Sequence, residues 1–153
     1  MPNHISSLED HLGYWLRLLS NAVSDSFARR LESRGVSVPQ WVVLRLLFDR
    51  EECSLGVLAG ALDMDKGALS RMIDRLLKLG LVKREESAVS RRQVALSLTA
   101  KARALVPKLA RAADENDRAF FGALSARQRT EFLHLIKLLV AARVGSNAKP
   151  PLQ

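Results

Sequence analysis

The chain has 153 residues, enough for one domain with a sizeable core, and 48% of them are hydrophobic, which excludes a disordered protein. Aromatic residues make up only 5%, and Leu, Ala and Arg dominate, which favours helix over sheet. The formal net charge of +8, which points to an anionic partner or simply to solubility, is uneven: residues 1–63 carry −2, residues 64–92 carry +4 and residues 93–153 carry +6, so the basic character is confined to the last two thirds and locates no site by itself.

Residues 8–33 form the first predicted helix. Ser6 with Glu9, or Ser7 with Asp10, makes a capping box at its start, and Gly35 stands where a glycine closes a helix. Its apolar residues, from Leu8, Leu12, Tyr14 and Trp15 through to Phe27 and Leu31, cover more than one stripe, so it packs on more than one side and has surface for a second subunit. Ser37 and Gln40 make another capping box ahead of Trp41, Val42, Leu44, Leu46, Leu47 and Phe48. The charge run Asp49-Arg50-Glu51-Glu52 ends that helix in solvent. Ser54 caps a short helix over 55–62, and Asp63-Met64-Asp65 is a tight polar turn.

The helix over 65–79 has the clearest pattern. Asp65 is its N-cap, Leu69, Met72, Ile73, Leu76 and Leu77 recur at helical spacing, and Gly80 ends it. Leu81–Glu85 and Gln93–Leu98 read as two short strands. In the second, apolar Val94, Leu96 and Leu98 alternate with Gln93, Ala95 and Ser97. Residues 86–92 join the strands without Gly, Asn or Pro, so the hairpin rests on its strands alone. Thr99 caps a helix over 100–121, Ser125 and Gln128 box the start of a helix over 126–144, and residues 145–153 read as a flexible tail. The predicted fold class is mainly α with a small β-hairpin. Two helices, a short turn and a hairpin make a winged helix-turn-helix over 37–99.

With the apolar stripe of 65–79 inward, Lys66, Gly67, Ser70, Arg71, Asp74, Arg75 and Lys78 fall on or near the opposite face. A major groove admits one helix and is read mostly by its first turns. Lys66, Ser70 and Arg71 are hydrogen-bonding side chains placed there, and small Gly67 lets the helix start approach a phosphate, where the macrodipole also helps. Arg75 and Lys78 lie further along and suit phosphates. Arg91 and Arg92, just before the second strand, suit a flanking minor groove or its phosphates.

The runs "SVPQWVVLRLL", "SLGVLAGALDMDKGALSRMIDRLLKLGLVKR" and "SRRQVALSLTAKA" resemble, in that order and spacing, the MarR (multiple antibiotic resistance regulator) family over nearly the whole chain. The resemblance implies a homodimer whose dimer region is built from 8–33 and 100–144, and binding of double-stranded DNA through Lys66, Gly67, Ser70, Arg71 and the wing. It further implies relief by a small aromatic or anionic effector. The family's wing carries Asp-x-Arg before its second strand. Here Ser90-Arg91-Arg92 stands in that place, so Arg92 keeps the arginine position and Ser90 replaces the aspartate. Serine holds a guanidinium less firmly than a carboxylate does, so the expectation is a looser wing.

Other chemistry finds less support. His4, His11 and His134 share no ligand spacing and Cys53 has no second cysteine, so neither a metal nor another cofactor is expected. Cys53 reads as a small, partly buried residue before the third helix rather than as a redox sensor. No nucleophile elbow, phosphate loop or paired-acid motif gathers the Ser, His and Asp residues, so no enzyme is expected. Tyr14, Trp15, Arg17 and Trp41 are the candidate effector contacts, set against the plainer reading of aromatics at helical spacing as core. The lone cysteine, the absence of a signal-peptide pattern and the lack of any apolar run of ~18 residues predict a soluble cytoplasmic protein with no membrane contact. The function expected is a ligand-responsive repressor binding a pseudopalindromic operator as a homodimer. The alternative is a winged-helix protein-interaction module without sequence-specific DNA binding.

Overall fold

A computed structural model describes residues 5–90 and 92–144. Over these residues the chain folds as α1 (Leu12–Glu32), α2 (Val38–Phe48), α3 (Leu55–Leu62), α4 (Lys66–Lys78), β1 (Val82–Glu86), β2 (Val94–Leu98), α5 (Ala100–Phe121) and α6 (Ala126–Val144). The mainly helical class with one hairpin is as expected. The tail over 145–153 lies outside the described residues.

Local side-chain chemistry sets most boundaries. Ser37 and Gln40 exchange bonds at the start of α2, with Ser37 N donating to Gln40 Oε1 at 2.9 Å and Gln40 N to Ser37 Oγ at 3.3 Å. Ser125 and Gln128 do the same before α6, at 2.9 and 3.2 Å. Single caps start α3 (Val57 N to Ser54 Oγ, 3.2 Å), α4 (Ala68 N to Asp65 Oδ2, 3.0 Å) and α5 (Ala102 N to Thr99 Oγ1, 3.2 Å). Gly80 closes α4 at φ +68°, where its N–H reaches Leu77 O and that of Leu81 reaches Leu76 O, both at 3.0 Å. The turn between α3 and α4 uses the same left-handed step, but with Asp63 (φ 50°) in the glycine's place.

The first helix departs from its expected start. Ser7 and Asp10 do meet, with Ser7 N donating to Asp10 Oδ2 at 2.8 Å, but they cap only a single 3₁₀ turn, Leu8–Asp10. His11 is extended (φ −98°, ψ 116°) and its Nδ1 donates to Ser7 O at 2.8 Å, while Trp15 Nε1 donates to Glu9 O at 2.8 Å. Those side chains take up carbonyls that a continuous helix would have used, so α1 starts at Leu12.

The core gathers the apolar faces of α1 to α5 and the hairpin. Leu31, Val43, Leu44, Leu47, Leu69, Ile73, Leu76 and Leu109 are fully buried, and α5 packs on both α1 and α2. The hairpin is antiparallel with Val82 opposite Leu98 and Glu86 opposite Val94, so β1 starts one residue later than expected. The period-two pattern in β2 holds only in part. Leu96 and Leu98 are buried, Val94 at the far end is exposed, and Ala95 is buried on the other face. Cys53 joins the core on the Leu96 side of the strand. It pairs with Leu96 in a one-residue bridge, Cys53 N to Leu96 O at 2.9 Å and Leu96 N to Cys53 O at 2.8 Å. The loop before α3 thus lies along the outer edge of β2.

Candidate nucleic-acid interface

In α4 the buried stripe of Leu69, Ile73 and Leu76 fixes the rotation of the helix. Lys66, Gly67, Arg71, Arg75 and Lys78 are consequently exposed, and Ser70 is half-buried at the margin. The first turn is more crowded than its sequence suggests. A Cβ at Gly67 would stand 3.0 Å from the capping Asp65 Oδ2 and 3.7 Å from Arg71 Nη1. The Arg71 guanidinium therefore leans back over Gly67 towards the helix start. Lys66 turns the other way: its Nζ lies 3.8 Å from where a Cβ on Gly56 would be, over the first turn of α3. Cationic groups thus sit close to the positive end of the α4 dipole, an arrangement that favours an anion there.

The wing stands beside this helix. Arg84 on β1 bridges to Asp74 on α4, Nη2 to Oδ1 at 3.5 Å, which ties wing and helix together. Asp74 lies on the outer face, as the helical spacing predicts, while no spacing signal links it to Arg84. Arg92 is exposed at the end of the connection, whereas Arg91 lies outside the described residues.

The turn over 87–93 is held by Glu52, a residue of the charge run that ends α2. Glu52 Oε1 accepts from Ser87 Oγ at 2.6 Å, and Glu52 Oε2 accepts from Ala88 N at 3.1 Å. These donors, Ser87 first and the Ala88 amide second, hold the Glu52 carboxyl below the usual carboxylate range. Ser90, the position of the missing aspartate, contributes backbone groups: its N–H donates to Ser87 Oγ at 3.2 Å and its carbonyl accepts from Gln93 N at 3.0 Å.

The candidate effector residues fall in two places within one protomer. Tyr14 and Trp15 meet edge to face, with ring centroids 5.4 Å apart and Trp15 largely exposed. Trp41 instead packs at 6.3 Å against Phe27, ten residues or ~15 Å further along α1 than exposed Arg17. A cleft of about 360 Å³ that the sequence did not flag lies between α5 and α6, lined by Asp117, Arg118, Phe121, Arg129, Phe132 and Ile136 among others. Among the described residues, no three His, Cys, Asp or Glu side chains gather closely enough to hold a metal ion, and no helix is long and apolar enough to cross a membrane.

A helix-turn-helix whose second helix is apolar inward and cationic outward, flanked by an arginine-bearing hairpin, defines the class: a winged-helix protein with a basic outer face on α4. Comparison with known proteins narrows it. The MarR family model matches residues 36–94, which span α2 to the start of β2. The HTH-type transcriptional regulator MgrA of Staphylococcus aureus is 27% identical over 110 residues, 71% of this chain and 75% of MgrA. BpsR of Bordetella bronchiseptica, whose DNA binding is regulated by 6-hydroxynicotinic acid, superposes with a TM-score of 0.78 at 25% identity, over 95% of this chain and 99% of that one. A variant of MarR from E. coli in complex with operator DNA shares the fold, with a TM-score of 0.77 at 22% identity over 88% of this chain and 99% of its own. Residues 36–94 thus resemble the MarR family, and the solved structures share the fold of the chain.

Proposed function

We propose that the chain is a sequence-specific DNA-binding transcriptional regulator that acts as a homodimeric repressor in the cytoplasm and catalyses no reaction. The observation that carries this reading is the division of α4, with three fully buried residues fixing its inner face and Lys66, Gly67, Arg71 and Arg75 exposed on its outer face. In this reading Lys66, Gly67, Ser70 and Arg71 meet base edges and nearby phosphates, Arg75 and Lys78 hold phosphates, and Arg91 and Arg92 reach the flanks. The operator-bound MarR variant supports the geometry.

The dimer is supported by surface that one copy leaves uncovered. From Ala126 to Ala142 every residue of α6 except Phe132 is exposed, including Leu133, Leu135, Leu138, Leu139 and Val140. On α1, Leu12, Trp15, Leu16 and Leu18 are exposed as well. Apolar faces of this extent on two helices are covered by another chain in a water-soluble protein. Two copies related by a two-fold axis place two α4 helices on a pseudopalindrome, with half-sites ~10 bp apart. A small aromatic or anionic effector belongs to the same proposal, with Tyr14, Trp15, Arg17 and Trp41 as its candidate contacts. Its support is the regulation of BpsR by 6-hydroxynicotinic acid.

Selection of duplexes from a random-sequence pool, followed by competition against bulk non-specific DNA at physiological salt, tests the reading. The expected outcome is a recurring inverted repeat bound at least ~10³-fold more tightly than bulk DNA. Equal, weak binding to all sequences would point to the protein-interaction module instead.

A further inference from the structure

Glu52 lies in the loop between α2 and α3, and its carboxylate reaches into the wing. With its proton donated to Glu52 at 2.6 Å, the Ser87 oxygen turns its lone pairs towards the Val89 and Ser90 amides, each 3.2 Å away. The second carboxylate oxygen takes the Ala88 amide at 3.1 Å. Two backbone bonds close the loop, Ser87 N to Gln93 O at 2.8 Å and Gln93 N to Ser90 O at 3.0 Å. A connection without Gly, Asn or Pro is thereby folded around one hydroxyl, and a carboxylate 35 residues earlier orients that hydroxyl. Glu52 is itself held, because its neighbour Cys53 is stitched to Leu96 of β2 by two backbone bonds. A charge-assisted bond this short belongs to the strong class, and both partners are half-buried.

We propose that Glu52, acting through Ser87, is a positioning residue for DNA binding: it sets the course of the wing turn and so the reach of Arg92 at the flank of a bound duplex. This rests on the DNA-binding reading. Glu52 itself touches no DNA in this account, and the helix α4 does not depend on it.

The test uses the full chain and a duplex that the wild type selects from a random-sequence pool. Amide exchange at Ala88, Val89 and Ser90 reads the wing turn without DNA. Hydroxyl-radical footprinting on the duplex reads the centre of each half-site and its flank separately. In Glu52→Ala, and separately in Ser87→Ala, the three amides are expected to exchange about tenfold faster while the chain stays folded and the α4 amides keep their protection. Protection at the flank is lost, protection at the centre stays, and affinity falls roughly three- to tenfold, the loss expected of one or two hydrogen bonds. The double variant is no worse than either single one, and Ser87→Thr, which keeps the hydroxyl, restores both readouts to Ser87→Ala. Unchanged exchange in Glu52→Ala overturns the proposal. So does faster exchange with an intact flank, or a loss spread evenly over centre and flank, which general destabilisation would give. If the wild type selects no duplex, the DNA-binding reading fails, and the exchange measurement alone still decides whether Glu52 holds the wing.

Discussion

Ser90 shows how a single position changes meaning once its surroundings are known. The missing aspartate led to the expectation of a looser wing, yet a carboxylate enters the same turn from Glu52, and Glu52 and Ser90 line one cleft of about 260 Å³. Ser90→Asp would place a second carboxylate beside Glu52, where like charges oppose each other. Unchanged or weaker DNA affinity is therefore expected in a binding titration, and a clear gain would restore the first expectation. Glu52 also carries a pH signature. Its carboxyl is lowered in the folded chain by the Ser87 hydroxyl and the Ala88 amide, and the other ionisable groups lining the cleft are Arg50 and Cys53. A lowered folded pKa means that the ionised group's contribution is fully present above the ordinary carboxylate value and is lost as pH falls through the lower, folded one. Protection of the Ala88 amide should thus be flat from about pH 8 to 5 and decline only in stronger acid. A decline around neutrality would mean that another group controls the turn. None of this was legible beforehand, because Glu52 and Ser87 are 35 residues apart and carry no spacing signal.

At the scale of elements, legibility followed the range of the bond that sets each boundary. The ranges of α3, α5 and α6 match their expectations because a cap three residues away fixes each start. The start of α1 was missed because its capping box closes one 3₁₀ turn, after which His11 and Trp15 capture the carbonyls of Ser7 and Glu9. The second neighbour of β2, Cys53, was missed because no pattern within the strand announces it, and the strand's alternation does not account for exposed Val94 and buried Ala95. The α3–α4 turn makes a prediction of its own. Asp63 holds a left-handed conformation that Gly35 and Gly80 adopt without strain elsewhere in the chain. Asp63→Gly should therefore raise stability by about 0.5–1 kcal/mol, the relief of the left-handed penalty less the entropy of glycine. A higher urea midpoint at unchanged slope would register it, and a lower midpoint would mean that the Asp63 side chain contributes more than its backbone costs.

For the whole molecule, charge and apolar surface divide the labour. The first 63 residues are net negative, the basic excess begins with α4, and the exposed apolar residues concentrate on α1 and α6. In the proposed function, DNA contact belongs to the middle of the chain and self-association to its two helical ends. Replacing Leu138 and Leu139 with Glu should give a folded monomer in sedimentation, with unchanged helix content and DNA affinity reduced by more than about a hundredfold through loss of the second half-site. A dimer that survives both changes would move the interface off α6. The central claim is that α4 reads sequence, and the most direct measurement compares Arg71→Ala with Arg75→Ala on the selected duplex and its single-base variants across a salt series. The account predicts that Arg71→Ala relaxes preference at particular base positions, whereas Arg75→Ala weakens binding evenly and shallows the salt slope by about one. Equal, sequence-independent losses from both substitutions would contradict it.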